Sequence, residues 1–84
     1  MLEIKFDNQP EKFLKKCEKP IFDRIISKLK ELILNPVPHD SKRIVGYSEP
    51  TFRVRIGKYR ALYRINHETN CIVVVKIDHR EKVY

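Results

Sequence analysis

Two periodicities run along the chain, and the switch between them divides it. Leu2, Ile4 and Phe6 fall on one side of an extended segment, with Glu3 and Lys5 on the other. This period of two predicts a short, half-buried strand. Asn8 reads as an N-cap, with Pro10 in the first turn and Glu11 at capping-box spacing. A short helix follows to about Cys17. Pro20 opens a second helix, in which Phe22, Ile25, Ile26, Leu29, Leu32 and Ile33 recur at intervals of three and four. Asp23, Arg24, Lys28, Lys30 and Glu31 fill its other side, and Asn35-Pro36 ends it. The apolar stripe predicts core packing. A polar face of mixed sign does not suit a helix lying on a membrane.

Residues 35–50 hold three prolines and Gly46 and predict a loop, with a short extended piece near Arg43–Val45. Strand-like runs then cover 51–56, 59–65 and 71–78, with turns at Gly57-Lys58 and His67–Asn70. The last run is apolar on both faces, which suits an internal strand. The order is β-α-α-β-β-β. It predicts one α+β domain over residues 1–84, two N-terminal helices packed on one face of a mainly antiparallel sheet.

A two-residue turn at 57–58 sets Ile56 opposite Tyr59 and Arg55 opposite Arg60. One hairpin face then collects Phe52, Val54, Ile56, Tyr59, Ala61, Tyr63 and Ile65. The other collects Arg53, Arg55, Arg60, Leu62 and Arg64. Lys76 and Asp78 share a face, but which face depends on strand order. Like charges directly opposite one another are destabilising, so a row of guanidinium groups asks for a reason beyond solubility.

Charge sharpens that question. The chain has 84 residues, 18 basic and 11 acidic, for a formal net charge of +7. The excess lies mainly after residue 35, and between residues 42 and 60 Lys42, Arg43, Arg53, Arg55, Lys58 and Arg60 face Glu49 alone. An anionic partner is implied. Cys17 and Cys71 sit in apolar settings and read as buried free thiols. No apolar run reaches the length of a membrane span, and no signal peptide is apparent, so a cytoplasmic protein is expected. His39, His67 and His79 have no ligand-like spacing, so neither a metal nor a small-molecule cofactor is expected.

Gly46, the run FRVRIGKYRALY (52–63) and the terminal HREKVY (79–84) together resemble the RelE/ParE superfamily of toxins from toxin–antitoxin pairs. The resemblance spans the whole chain. It implies a compact toxin held inactive by an acidic, RelB-like antitoxin. In the RelE branch it further implies a ribosome-dependent endoribonuclease that cuts mRNA in the decoding site. The positions that match the branch's catalytic set are Arg53, Arg55, Arg60, Arg80 and Tyr84. Arginine stands at 53 and 55 where relatives often carry lysine, and the interval from Arg80 to Tyr84 is shorter than in some members. The ParE branch shares the fold but acts on DNA gyrase.

The chemistry fits the first branch. RNA is cut without metal when its 2′-hydroxyl attacks the adjacent phosphate, through a phosphorane carrying extra negative charge. That step needs a base, a cationic clamp and an acid. Arginine suits the clamp but cannot surrender its proton. Tyr84, whose phenolate guanidinium neighbours would favour, or His79, whose imidazole can take up and release a proton, are candidates for proton transfer. Alternation places His79 on the face away from Arg80. Glu49 is a weaker candidate base. Lys42, Arg43, Lys58 and Arg64 extend the surface as RNA-binding residues. The alternatives are a gyrase-directed toxin without nuclease activity and a non-enzymatic RNA-binding or degenerate toxin.

Overall fold

The computed structural model describes residues 2–47 and 49–79. Their elements are β1 (Glu3–Phe6), α1 (Asn8–Lys16), α2 (Lys19–Leu34), β2 (Ser41–Ile44), β3 (Thr51–Ile56), β4 (Tyr59–Asn66) and β5 (Cys71–His79). The strands form one sheet in the order β1-β5-β4-β3-β2. β1 runs parallel to β5, while the β2–β3, β3–β4 and β4–β5 pairs are antiparallel. The α+β class and the helix-then-strand order match the expectation.

The hairpin register is the expected one, with Ile56 opposite Tyr59 and Arg55 opposite Arg60. Gly57 takes φ +61° at the first turn position, which a side chain would strain. At the next turn Asn66 Oδ1 accepts the N–H groups of Glu68 (3.0 Å) and Thr69 (3.2 Å).

The core lies between α2 and the sheet. Ile25, Leu29 and Leu32 pack with Val54, Ile56, Ala61, Tyr63, Ile65, Ile72, Val74 and Ile77. Tyr63 is fully buried and donates its O–H to Pro36 O at 2.7 Å, satisfying the one polar atom its ring brings inward. Burial pushes its phenol pKa upward. Cys71 is buried as expected, whereas Cys17 is only half-buried; both thiols are free.

Three local expectations change. The first helix is capped by Asp7, not Asn8, and without a side-chain bond. Asp7 N–H is held by Val74 O (3.0 Å) and Asp7 O accepts from Glu11 N–H (3.2 Å), so the helix starts one residue earlier. In α2 the buried stripe is Ile25, Leu29 and Leu32, with Ile21 packed against it. Phe22 is 38% exposed and turns toward the α1 side with Leu14 and Ile26. Finally, the extended piece in the loop is a full strand, β2, paired with β3 from Ser41 opposite Val54 to Ile44 opposite Thr51. Its exposed Lys42 and Arg43 are the residues that keep an edge strand from pairing with other chains.

β5 carries a further feature. Leu62 pairs with Lys76 but Tyr63 pairs with Val74, so Val75 is an extra residue in a β-bulge. The bulge reverses the phase of the strand. Ile72 and Val74 face the helices before it, and Ile77 and His79 do so after it.

Candidate nucleic-acid interface

The face away from the helices is assembled by cross-strand register. Arg55 lies opposite Arg60, and Arg60 opposite Asp78. One step along, Lys42, Arg53, Leu62 and Lys76 form a row across four strands. Beyond it Ile44, Thr51, Arg64 and Val73 form another. The structure therefore brings Arg53, Arg55, Arg60, Arg64 and Lys42 onto one surface. Leu62 on this face is only 5% exposed, flanked by long basic side chains whose stems cover apolar area while their heads stay in water.

Lys76 and Asp78 join this surface because of the bulge. With strict alternation from Ile72 and Val74 they would point at the helices. Asp78 had no assigned role in the sequence, yet it is the carboxylate nearest in register to Arg60. Its Oδ1 accepts the N–H of His79 at 2.8 Å. A second carboxylate, Glu49, meets Arg64 at 3.5 Å, and Glu49 O accepts the buried Thr51 hydroxyl at 3.1 Å. Glu49 is thus a partner of Arg64 at the margin of the surface. Among the described residues, Arg53, Arg55 and Lys42 enter no ion pair, so their charge is available to an incoming anion.

Other candidates lie elsewhere. Arg43 is opposite Phe52 and so on the helix side of the sheet. Lys58 is exposed in the hairpin turn. His79 is opposite Tyr59, with ring centroids 4.7 Å apart, also on the helix side. Arg80 and Tyr84 lie outside the described residues.

Chemically, the surface is a planar array of forked donors. Guanidinium groups bind phosphate oxygens in pairs and stay charged at any working pH. Held on a rigid sheet, they need little reorganisation when charge develops on a phosphorane.

A profile described as the ParE toxin of the type II toxin–antitoxin system parDE matches residues 4–84. The chain is 36% identical over 88 residues to the RelE1 toxin of Methanocaldococcus jannaschii, covering 96% of this chain and 97% of that one. Among solved structures it is similar to the archaeal RelE–RelB complex from Pyrococcus horikoshii, with a TM-score of 0.82, 26% identity and 98% of both chains covered. It is also similar to the RelBE2 toxin–antitoxin complex from Mycobacterium tuberculosis, with a TM-score of 0.79, 28% identity, and 94% and 98% of the two chains covered.

Proposed function

The chain belongs to the ParE toxin family of type II toxin–antitoxin systems, and from that premise we propose that it is a RelE-type mRNA interferase. In this reading it is a metal-independent endoribonuclease that cuts mRNA in the ribosomal decoding site and so stops translation. The observation that carries the reading is the register that sets Arg53, Arg55 and Arg60 on one face of a rigid sheet. The RelE names of its relatives support the same branch.

In the proposed reaction the 2′-hydroxyl loses its proton and attacks phosphorus. The bond to the 5′-oxygen breaks, leaving a 2′,3′-cyclic phosphate, and the departing oxygen takes up one proton to become the 5′-hydroxyl. Arg53 and Arg55 orient the phosphate and Arg60 stabilises the phosphorane. Arg80 is assigned by resemblance to the same clamp, and Tyr84 to proton transfer. Arg64 and Lys42 hold flanking phosphates. His79, on the far face, is not well placed to act on this phosphate.

The protein partner is an antitoxin, as in the RelE–RelB complexes of its structural relatives. An acidic antitoxin suits a toxin of net charge +7.

Adding the purified protein to a translating extract tests the proposal, with cut sites mapped on the message by primer extension. Cleavage within the coding region is expected. Arg60→Ala is expected to slow it by about 10²–10³-fold, the effect of removing one transition-state donor, and Arg80→Ala to abolish it with an unchanged thermal melt. Halted translation with intact mRNA would overturn the nuclease reading. The ParE description of the matching profile keeps a gyrase-directed activity as the second reading, and inhibition of DNA supercoiling by the same protein would select it.

A further inference from the structure

Behind the arginine face, at the same end of the sheet, α1 and the ends of β4 and β5 enclose a groove of about 620 Å³. Its floor is aromatic. His79 lies against Tyr59, and Phe13 of α1 meets Tyr59 edge-on with ring centroids 5.6 Å apart. Lys12 and Lys16, four residues apart on α1, line the same groove. Lys15 and Lys19 are neutralised by Glu11 at 3.2 Å and Asp23 at 3.1 Å, but Lys12 and Lys16 enter no ion pair among the described residues. Among the described residues that line the groove, Glu18 is the one carboxylate.

The groove's position is fixed from two sides. Gln9 donates to Ile77 O at 2.7 Å and accepts Ile77 N–H at 2.8 Å, so α1 is clamped to β5 two residues before His79. The bulge at Val75 gives the end of β5 its two faces, with Asp78 beside Arg60 and His79 beside Tyr59. One strand end therefore presents a phosphate-binding surface in front and an aromatic, lysine-flanked groove behind.

We propose that this groove is a second RNA subsite, which takes a base of the strand flanking the phosphate on the arginine face. The base stacks on His79 and Tyr59, and Lys12 and Lys16 hold its neighbouring phosphates. Aromatic faces beside free cations are the pattern by which single strands are held without base-edge readout. This inference rests on the nuclease reading above and extends it to the far side of the sheet.

The test measures binding of a fluorescently labelled single-stranded RNA by anisotropy across a salt series, with iodouridine crosslinking to locate the bases. His79→Ala is expected to weaken binding about tenfold, within the range for one stacked base. His79→Phe, which keeps a stacking ring, should retain the affinity. Lys12→Ala/Lys16→Ala should reduce the salt slope by about 1.4, as for two lost phosphate contacts on a single strand. Crosslinks should map to the peptides holding Tyr59 and His79.

Unchanged affinity and salt slope in these folded variants, while Arg53→Ala and Arg55→Ala weaken binding, would overturn this inference alone. Insensitivity to the arginine substitutions as well, or no RNA binding by the unaltered protein, would overturn the parent reading with it. Loss of antitoxin affinity at constant RNA affinity would assign the groove to a protein partner and overturn the RNA subsite.

Discussion

On the helix side of the β3–β4 hairpin, Val54, Ile56, Ala61 and Tyr63 are each at most 4% exposed. One residue along the same strands, Arg53, Arg55 and Arg60 place their side chains on the opposite face, and Arg55 faces Arg60 directly. Both sets share one backbone, one turn and one register. The first set has the composition expected if burial alone had chosen it. The second carries a like-charge contact that burial would never choose. A sheet lets these two demands be met independently, because side chains alternate and a substitution on one face leaves the other's environment nearly intact. Stability and activity should therefore separate by face.

The largest effect expected lies on the buried side. Leu29 is 1% exposed at the centre of the α2–sheet contact, so Leu29→Ala should destabilise by about 2–5 kcal/mol. Denaturant melts measure it. Any lost cleavage should follow the unfolded fraction and return when the temperature is lowered. Full stability with lost cleavage would contradict the separation.

Gln9 comes next because it bridges the two demands. Its amide supplies both partners for the Ile77 backbone where β5 has run past the end of β1. Gln9→Ala removes two hydrogen bonds and should cost about 1–3 kcal/mol. It should also loosen the strand end that carries Asp78 and His79. Hydrogen exchange at the Ile77 amide is the direct readout, and protection equal to that of the unaltered protein would show that the clamp does not matter.

The same contrast between faces governs what could be read in the sequence. The hairpin was legible to the residue, because Gly57-Lys58 fixes the turn and alternation does the rest. β2 was nearly invisible, because an edge strand bearing Lys42 and Arg43 has no apolar alternation to detect. The cap moved from Asn8 to Asp7 because a tertiary bond to Val74 O, not local capping chemistry, starts the helix. Phe22 sits at the edge of the apolar stripe, and only the packing of α1 decides which side it serves. The bulge mattered most for the site. Its trace is that Ile72 and Ile77, both facing the core, stand five positions apart, an odd offset that strict alternation forbids. Reading that break would have placed Lys76 and Asp78 beside the arginines. The candidate site was legible in part: Arg53, Arg55 and Arg60 share a face as expected, Arg43 and His79 stand on the other side, and Arg80 and Tyr84 lie outside the described residues.

A smaller effect concerns the ion pair that ties α2 to the start of β2. Lys28 Nζ donates to Asp40 Oδ2 at 2.7 Å, and that bond holds the Asp40 carboxyl below its usual pKa. A carboxyl whose pKa is lower in the folded state stabilises the fold above its unfolded pKa. That contribution fades as the pH falls through the folded value. Asp40 is half exposed, so the pair is worth only about 0.2–1 kcal/mol, the range for surface ion pairs. Asp40→Asn should lower stability at neutral pH by that amount and leave it unchanged at the acid end, where Asp40 is already protonated. A uniform loss at every pH would mean that packing of the side chain, not its charge, is responsible.

Arg55→Gln should have the smallest effect on stability, and of the opposite sign. Arg55 is exposed, enters no ion pair among the described residues, and faces Arg60 across the hairpin. Removing its charge relieves a like-charge contact, so the melt should stay level or rise by about 0.2–1 kcal/mol at low salt. The gain should vanish at high salt, where the repulsion is already screened. Cleavage should meanwhile fall by about 10²-fold if the guanidinium contacts the reacting phosphate. Arg60→Gln makes the control, because Arg60 also lies opposite Asp78 and the substitution removes a cation facing that carboxylate. A higher melting temperature with lower cleavage for Arg55→Gln, and no such rise for Arg60→Gln, would show repulsion retained for function. Parallel loss of stability and cleavage in Arg55→Gln would make the arginine part of the scaffold, and the two faces would no longer be separable.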